Sequence, residues 1–139
     1  YLGKISGPLL DRIDLQVEIV PVPFAKLSEQ KDGESSAVIR ARVVAARAIQ
    51  TKRFEGIEGV YCNAQMTPRL IRKYCVLDDK GNAVLNKAMD KYGLSARAYD
   101  RILKLSRTIA DLEGVEQIAS KHVLEAITYR NLDKAGWAD

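Results

Sequence analysis

The sequence is poor in the residues from which most catalytic and metal sites are built. Its 139 residues include one histidine, His122, and two cysteines, Cys62 and Cys75, which lie 13 positions apart. One histidine cannot supply a histidine-based triad, and two cysteines at this spacing with no histidine nearby do not make a zinc site. We therefore expect no metal site here, and we interpret both cysteines as reduced thiols of a cytoplasmic protein.

Sequence motifs of several large enzyme classes are also missing. There is no GxxxxGK[ST] phosphate loop, no GxSxG, no HExxH and no CxxC. No apolar run approaches the roughly 18 residues of a transmembrane helix, and no signal peptide is visible. These absences predict that the chain by itself is not a complete enzyme and that it has no membrane partner.

The composition is that of a globular protein with a mild basic excess. Hydrophobic residues make up 47% of the chain, and 22 Lys and Arg against 18 Asp and Glu give a net charge of +4. This charge permits contact with phosphates without requiring it. The length fits one domain, or one small domain plus a fragment of another, and we expect the chain to be cut from a longer protein.

Residues 13–20, IDLQVEIV, carry the clearest strand pattern. Apolar and polar side chains alternate along this segment, which is the period of a half-buried strand, and prolines at 21 and 23 end it. A strand needs a partner, and no other segment alternates comparably. We therefore expect residues 1 to about 25 to be disordered, to pair with another copy, or to fold onto the rest of the chain.

The remainder of the chain predicts a bundle of four or five helices. A polar connection over 24–35 leads to a helix from about Ser36 to Phe54. Thr67-Pro68 starts a short helix to Tyr74, and a further helix spans about 82–92 before Gly93. Two more helices are predicted after the capping residues Ser95 and Ser120. In the first of these the apolar stripe is Ala98, Ile102, Leu105, Ile109 and Leu112.

The candidate functional residues of this sequence are arginines. Arg12 lies between two aspartates, and Arg97, Arg101 and Lys104 share one face of a predicted helix. A solvated helix surface, and a salt bridge from Arg12 to Asp11 or Asp14, are the plainer interpretations. The basic residues of the 36–54 helix surround it rather than form one stripe, which argues against a dedicated DNA-reading helix.

Several stretches together resemble a known family. The segments KISGPLLDRIDLQVEI, ESSAVIRARVVAARAIQTKRF, CNAQM, LSARAYDRILKLSRTIADLEG and HVLEAITYRNLD are similar, in this order, to the C-terminal portion of magnesium-chelatase-like AAA+ ATPases of the ComM/YifB competence type. The resemblance covers nearly all of the chain. It implies a helical AAA+ lid domain preceded by one β-strand left from a truncated α/β core. The implied boundaries are 1–25 for the end of the core, 26–35 for a linker and 36–139 for the lid.

The resemblance also implies a function for the parent protein. That protein is expected to form a hexameric ring on branched DNA and to hydrolyse ATP with Mg²⁺ between its subunits. Helicase-driven branch migration during natural transformation is the implied activity. The Walker motifs of the family lie upstream of the matching region, so we expect no nucleotide or metal to be bound by this chain alone.

Two arginine sites acquire roles from the resemblance. The GPLLDRID turn is similar to the arginine-finger position of related ATPases, so Arg12 would act as a finger in trans in the ATP site of the adjacent subunit. Arg97 is similar to the sensor-2 arginine of AAA+ lids, with Arg101 one turn further as a reserve. Lys104 is interpreted as a surface residue, and His122 as a surface or boundary residue rather than a ligand.

A second function class stays open. A small basic helical module could contact DNA by helix-turn-helix logic, or dock another protein, with no ATPase role. The 114–119 link is the one candidate turn for the helix-turn-helix arrangement.

Overall fold

The computed structural model describes residues 4–29 and 32–130. Within these ranges the chain forms seven α-helices and a short 3₁₀ turn at Asn63–Gln65. The helices are α1 (Gly7–Arg12), α2 (Phe24–Leu27), α3 (Ser36–Arg53), α4 (Pro68–Tyr74), α5 (Asp79–Tyr92), α6 (Ala96–Glu113) and α7 (Ser120–Thr128). The predicted mainly-α fold class is confirmed.

Side-chain caps set where most of these helices begin. The hydroxyl of Thr67 accepts a hydrogen bond from the amide of Leu70, and Pro68 occupies the first turn of α4. The carboxylate of Asp78 accepts from the Gly81 amide at 2.7 Å, so α5 begins three residues earlier than predicted. Each cap satisfies an amide that has no partner inside its helix.

Glycines end helices α5 and α6. Gly93 follows α5 with φ of 58°, and Gly114 follows α6 with φ of 81°. A side chain is strained in this left-handed region, which is why glycine serves there and why both ends were predictable.

The hydrophobic core lies where α6 packs against α7, α3 and α4, while α7 also packs against α5. Apolar side chains from all these helices and from the links between them fill the core. Its fully buried members include Leu85, Ile102, Ile118 and Val123. Leu77 and Ile118 form an isolated parallel bridge that joins the link before α5 to the link before α7.

The strand predicted over residues 13–20 does not form. These residues have no regular secondary structure, and most of their side chains are exposed. The backbone amide of Gln16 donates to the Tyr129 carbonyl at 2.8 Å, so the start of the segment lies on the bundle. Of the three outcomes expected for this region, folding onto the bundle therefore describes residues 7–16. The physical reason is that the described residues contain no second strand to pair with.

Two helix details differ from prediction. Leu112 is exposed, whereas Leu103 and Ala110 are buried, because α6 has neighbours on several sides and buries more than one stripe. Ala119, not Ser120, is the N-cap of α7. The predicted continuation of α7 beyond residue 130 lies outside the described residues.

Candidate functional site

The turn that carries Arg12 is a short helix with a well-defined start. The hydroxyl of Ser6 accepts from the Leu9 amide at 3.2 Å, and Pro8 lies in the first turn. Arg12 is the last residue of α1, and its side chain is exposed. Within 4–29 and 32–130 it forms no ion pair, since Asp14 is used by another arginine. The salt-bridge interpretation of Arg12 is therefore not what the structure shows.

This turn is held against the far end of the chain. The guanidinium of Arg130, itself buried, donates to the carbonyls of Ile13 at 2.5 Å and Asp11 at 2.9 Å. Charge-assisted hydrogen bonds of this kind are about twice as strong as neutral ones. Residues 11–13 are thus fixed in position, while the Arg12 side chain projects from them into solvent. Sequence reasoning did not identify Arg130.

The predicted basic face of α6 lies beside the same turn. Helix α1 packs against α6, and Arg101 donates a hydrogen bond to the Asp14 carboxylate. Arg97, one turn earlier on the same face, is exposed and unpaired within the described ranges. Lys104, predicted as a surface residue, is partly exposed and donates to the Ala64 carbonyl at 3.3 Å. The structure thus brings the two predicted arginine sites to one side of the molecule.

A shallow pocket of about 200 Å³ lies at this junction. Asp14 and Leu15 form one wall, and Arg101, Lys104 and Thr108 of α6 form the other. For Arg101 to bind an external anion here, its hydrogen bond with Asp14 must open. Arg97 does not line this pocket, and its exposed side chain forms no ion pair that would have to open in the part of the chain that the structure describes.

A second cluster of charged groups is buried and was not predicted. Arg53 forms a two-pronged contact with Asp111, at 2.6 and 2.8 Å, that ties the end of α3 to α6. The Nε of Arg107 lies 3.2 Å from the same carboxylate, one turn away on α6. Asp111 and Arg107 are only 2% and 5% exposed. The i, i+4 spacing of Arg107 and Asp111 is the signal in the sequence that could have suggested this pair.

Hydrogen bonds extend this buried cluster to other parts of the core. The Asn63 amide donates to Asp111 at 2.9 Å and to Thr108 at 3.0 Å, and the Gln50 side chain accepts from the Asn63 backbone. Arg107 also donates to the carbonyls of Val115 and Glu116, at 2.9 and 2.7 Å. The cluster therefore links α3, α6, the 3₁₀ turn and the 114–119 link.

The pKa values of the two arginines in the cluster are shifted in opposite directions. Hydrogen bonding to Asp111 raises the pKa of Arg53, whereas burial lowers the pKa of Arg107. Both stay protonated in any physiological buffer, because arginine titrates so far above neutral pH. One carboxylate therefore serves two positive charges, that of the buried Arg107 and that of the partly buried Arg53.

His122 is a structural residue. It was predicted at the surface or boundary, but only 2% of it is exposed. Its Nδ1 accepts from the Ala119 amide at 2.8 Å, and its Nε2 lies 2.5 Å from the Glu113 carboxylate. The first of these bonds is the half of a capping box in which the N3 side chain accepts from the N-cap amide, and Ala119 has no side-chain acceptor for the other half. Hydrogen bonds from Lys121 and His122 lower the pKa of Glu113.

Cys75 offers no reactive thiolate. Cys75 is buried in the core, and burial raises the pKa of its thiol to about 12, which disfavours the nucleophilic thiolate. In residues 4–29 and 32–130 no cluster of three His, Cys, Asp or Glu side chains could hold a metal ion. No helix in these ranges is long and apolar enough to cross a membrane.

Comparisons with known proteins agree with the resemblance seen in the sequence. Competence protein ComM of Haemophilus influenzae is 47% identical over 131 residues, which cover 94% of this chain and 25% of that protein. Protein YifB of Salmonella typhimurium is 42% identical over 135 residues, covering 96% of this chain and 26% of that protein. The chain thus spans about a quarter of the length of these curated relatives.

A family model defines the membership more sharply. The model described as "Magnesium chelatase, subunit ChlI C-terminal" matches residues 33–130, from the loop before α3 to the end of the described bundle. The expected ComM/YifB-type, magnesium-chelatase-like character is confirmed by this match together with the relatives above. The chain belongs to the magnesium chelatase subunit ChlI C-terminal family.

Proposed function

We propose that this chain is the C-terminal part of a ComM-like AAA+ ATPase that acts on DNA during competence. In this proposal residues 1–25 end the ATPase core, residues 26–35 link it, and residues 36–139 form the helical lid. The parent protein assembles as a hexameric ring in the cytoplasm and drives branch migration of incoming DNA.

One observation carries the proposal most directly. Arg12 is exposed on a rigidly held turn, and that turn lies against the helix face that presents Arg97 and Arg101. A charged side chain that is exposed while its backbone is fixed suits a group that must reach a partner molecule. Both arginine sites can then address one nucleotide at a subunit boundary.

The chemistry required of Arg12 follows from phosphoryl transfer. Negative charge spreads over the oxygens of the transferred phosphoryl group, and a planar, permanently charged guanidinium stabilises it. Arginine fingers accelerate hydrolysis by about 10³- to 10⁵-fold, which corresponds to roughly 4–7 kcal/mol of barrier. In the part of the chain that the structure describes, Arg12 forms no ion pair that would have to break before it contacts a phosphate.

Arg97 has a different role in the proposal. It lies in the first turn of α6, where Ser95 caps the helix and the backbone amides favour an anion. Its guanidinium would contact a phosphate of ATP and report whether the nucleotide is bound. ATP with Mg²⁺ supplies the energy of the reaction, and the groups that hold the metal belong to the rest of the parent protein.

The helix-turn-helix alternative is disfavoured by the link between α6 and α7. A helix-turn-helix motif uses a turn of about three to four residues. Here the link runs from Gly114 to Ala119, and its Ile118 is buried and bridged to Leu77. The link is a structural part of the core rather than a tight turn that presents a reading helix.

The test is steady-state ATPase activity of the full-length parent, with and without branched DNA. We expect Arg12→Ala to lose about 10²-fold or more while a fluorescent ATP analogue still binds. Arg12→Lys should not restore the rate, because it keeps the charge but loses the planar fork. Arg97→Ala should weaken nucleotide binding as well as turnover.

Arg69→Ala is the matched control, because Arg69 is exposed on α4 and forms no ion pair in the described part of the chain. It should hydrolyse ATP at the wild-type rate. A normal rate for Arg12→Ala would contradict the proposal and reduce Arg12 to a surface residue at the end of α1.

A further inference from the structure

We propose that a cleft at the ends of α3 and α4, together with the groove that continues from it along α3, binds the phosphate backbone of a nucleic acid. This inference rests on the proposed function, since it gives the DNA partner a contact surface on the bundle. It concerns a part of the molecule separate from Arg12 and Arg97. No base-reading helix is invoked, which agrees with the scattered basic residues of α3.

The cleft has a volume of about 550 Å³ and lies between three pieces of chain. Lys52 and Arg53 come from the last turn of α3, and Lys73 from the last turn of α4. The third wall contains the buried Arg107 and the link after α6, with Val115. Cationic groups therefore reach the cleft from three separate elements.

The cluster of Arg53, Arg107 and Asp111 carries a net positive charge beside this cleft, because its one carboxylate balances only one of the two guanidinium groups. Asp111 contributes one negative charge, while Arg53 and Arg107 contribute two positive charges, and all three line the cleft. Burial of an uncompensated charge is unfavourable, and an anion close by would offset it. Glu116 at the edge reduces the positive field, while Lys52 and Lys73 increase it.

A second depression extends the positive surface along α3. It has a volume of about 620 Å³ and is lined by Arg47, Thr51 and Lys52, with Glu55 as its acidic member. Lys52 belongs to both depressions, so they adjoin. Arg47 and Lys52 are five residues apart, or about 7.5 Å along the helix axis. A continuous track of this kind suits an elongated polyanion better than a single free phosphate.

Lysines at helix ends also have a structural role, and the experiment must separate that role from nucleic-acid binding. Basic residues in the last turn of a helix stabilise it by offsetting the negative end of the helix dipole. Lys73 also lies 5.1 Å from the centre of the Tyr74 ring, a favourable cation–π contact. The control therefore needs a lysine with the same helix position and the same aromatic contact as Lys73 that does not line the cleft.

Helix α5 provides that control. Lys91 lies in its last turn, 5.3 Å from the centre of the Tyr92 ring, and Lys87 is one turn earlier. Both are exposed. The variant Lys52→Glu/Lys73→Glu is compared with Lys87→Glu/Lys91→Glu, which changes the net charge by the same amount. Thermal unfolding of each variant establishes that the bundle is intact.

The measurement is fluorescence anisotropy of a labelled single-stranded oligonucleotide, and of the matching duplex, titrated with the 139-residue chain. We expect the cleft variant to bind roughly tenfold or more weakly, and the α5 variant to be affected much less. Between about 50 and 200 mM salt, the slope of log affinity against log salt should fall by about 0.7 for each phosphate of the single strand that the variant no longer neutralises. Unlabelled ATP and inorganic phosphate should compete weakly.

Three results would overturn the inference. These are absence of binding by the wild-type chain, equal reductions in affinity for the two double variants, and full competition by ATP with no dependence on oligonucleotide length. The last would indicate a free-nucleotide site instead. Because these assays involve no ATP hydrolysis, failure here leaves the role of Arg12 standing. Conversely, a normal ATPase rate for Arg12→Ala leaves this binding result unaffected.

Discussion

The bundle and the segment that precedes it use similar apolar residues with opposite results. In the bundle, Ile102 and Val123 are completely buried among neighbouring helices. In the segment, Val17 and Ile19 are mostly exposed, Ile19 to 87%. The two regions do not differ in hydrophobicity at these positions. They differ in whether a partner covers the apolar side.

This contrast shows that alternation alone does not make a strand. An isolated extended segment gains little from its apolar face until another strand or layer covers it. The helices of the bundle supply that cover for one another. The N-terminal segment obtains it only near residues 7–16, where α1 packs on α6 and Arg130 holds the turn.

The largest effect should come from the buried charge cluster of the bundle. We expect Asp111→Asn to lower the free energy of unfolding by about 3–5 kcal/mol, because Arg53 and Arg107 lose their shared counter-charge in a buried setting. Chemical denaturation measures this. Asp90→Asn on the exposed side of α5 is the control and should change stability by less than about 0.5 kcal/mol. Equal losses of unfolding free energy in the two variants would show that the buried cluster does not stabilise the fold more than a surface carboxylate does.

The apolar contrast can be tested by one truncation in each region. We expect Ile102→Ala to cost about 2–5 kcal/mol of unfolding free energy, because it leaves a cavity in the core. Ile19→Ala should cost less than about 0.5 kcal/mol, since its side chain is in solvent. A large loss of unfolding free energy for Ile19→Ala would show that the segment contributes to the core, and would contradict the contrast between the two regions.

The attachment of the segment to the bundle should depend on Arg130. We expect Arg130→Ala to accelerate tryptic cleavage after Arg12 by about tenfold, since it loses hydrogen bonds worth about 1.5 kcal/mol or more. Cleavage after Lys26, in an already exposed part of the segment, is the internal control and should keep its rate. Unchanged cleavage after Arg12 would mean that other contacts hold the turn.

The smallest effect should be a pH dependence at the α6–α7 junction. The pKa of Glu113 is lowered in the folded chain, so its contribution to stability is present above its ordinary value of 4.5 and disappears as pH falls through the lower folded pKa. Glu113→Gln should therefore lower Tm at neutral pH, and the difference from wild type should close under acid. Glu125→Gln, exposed on α7, serves as control. A constant difference at every pH would contradict the expectation.

Helices that carry their own start and stop signals were predictable from the sequence. The hydroxyls of Thr67 and Ser95 and the glycines at 93 and 114 act within a few residues, so their effect does not depend on the rest of the fold. The strand at 13–20 was not predictable in this sense, because a strand requires a partner from elsewhere in the chain or beyond it.

The candidate site divides in the same way. Arg12, Arg97 and Arg101 were identified by resemblance. Only the structure shows that α1 packs against α6 and that Asp14 bonds to Arg101, which places the two arginine sites on one side of the molecule. The Arg53–Asp111 contact joins residues 58 positions apart, and no local pattern records such a pair. Likewise, the burial of His122 follows from the packing of α7, which a lone histidine in a sequence does not reveal.

Native-state hydrogen exchange of the 139-residue chain tests the two-region account most directly. We expect the amides of α6 and α7, such as those of Leu103 and Val123, to exchange only through global unfolding. The amides of residues 17–20 and of Val22 should exchange at nearly the rate of an unfolded chain. Protection of these segment amides at the level of the bundle core would contradict the account, because it would place the segment inside the same cooperative unit.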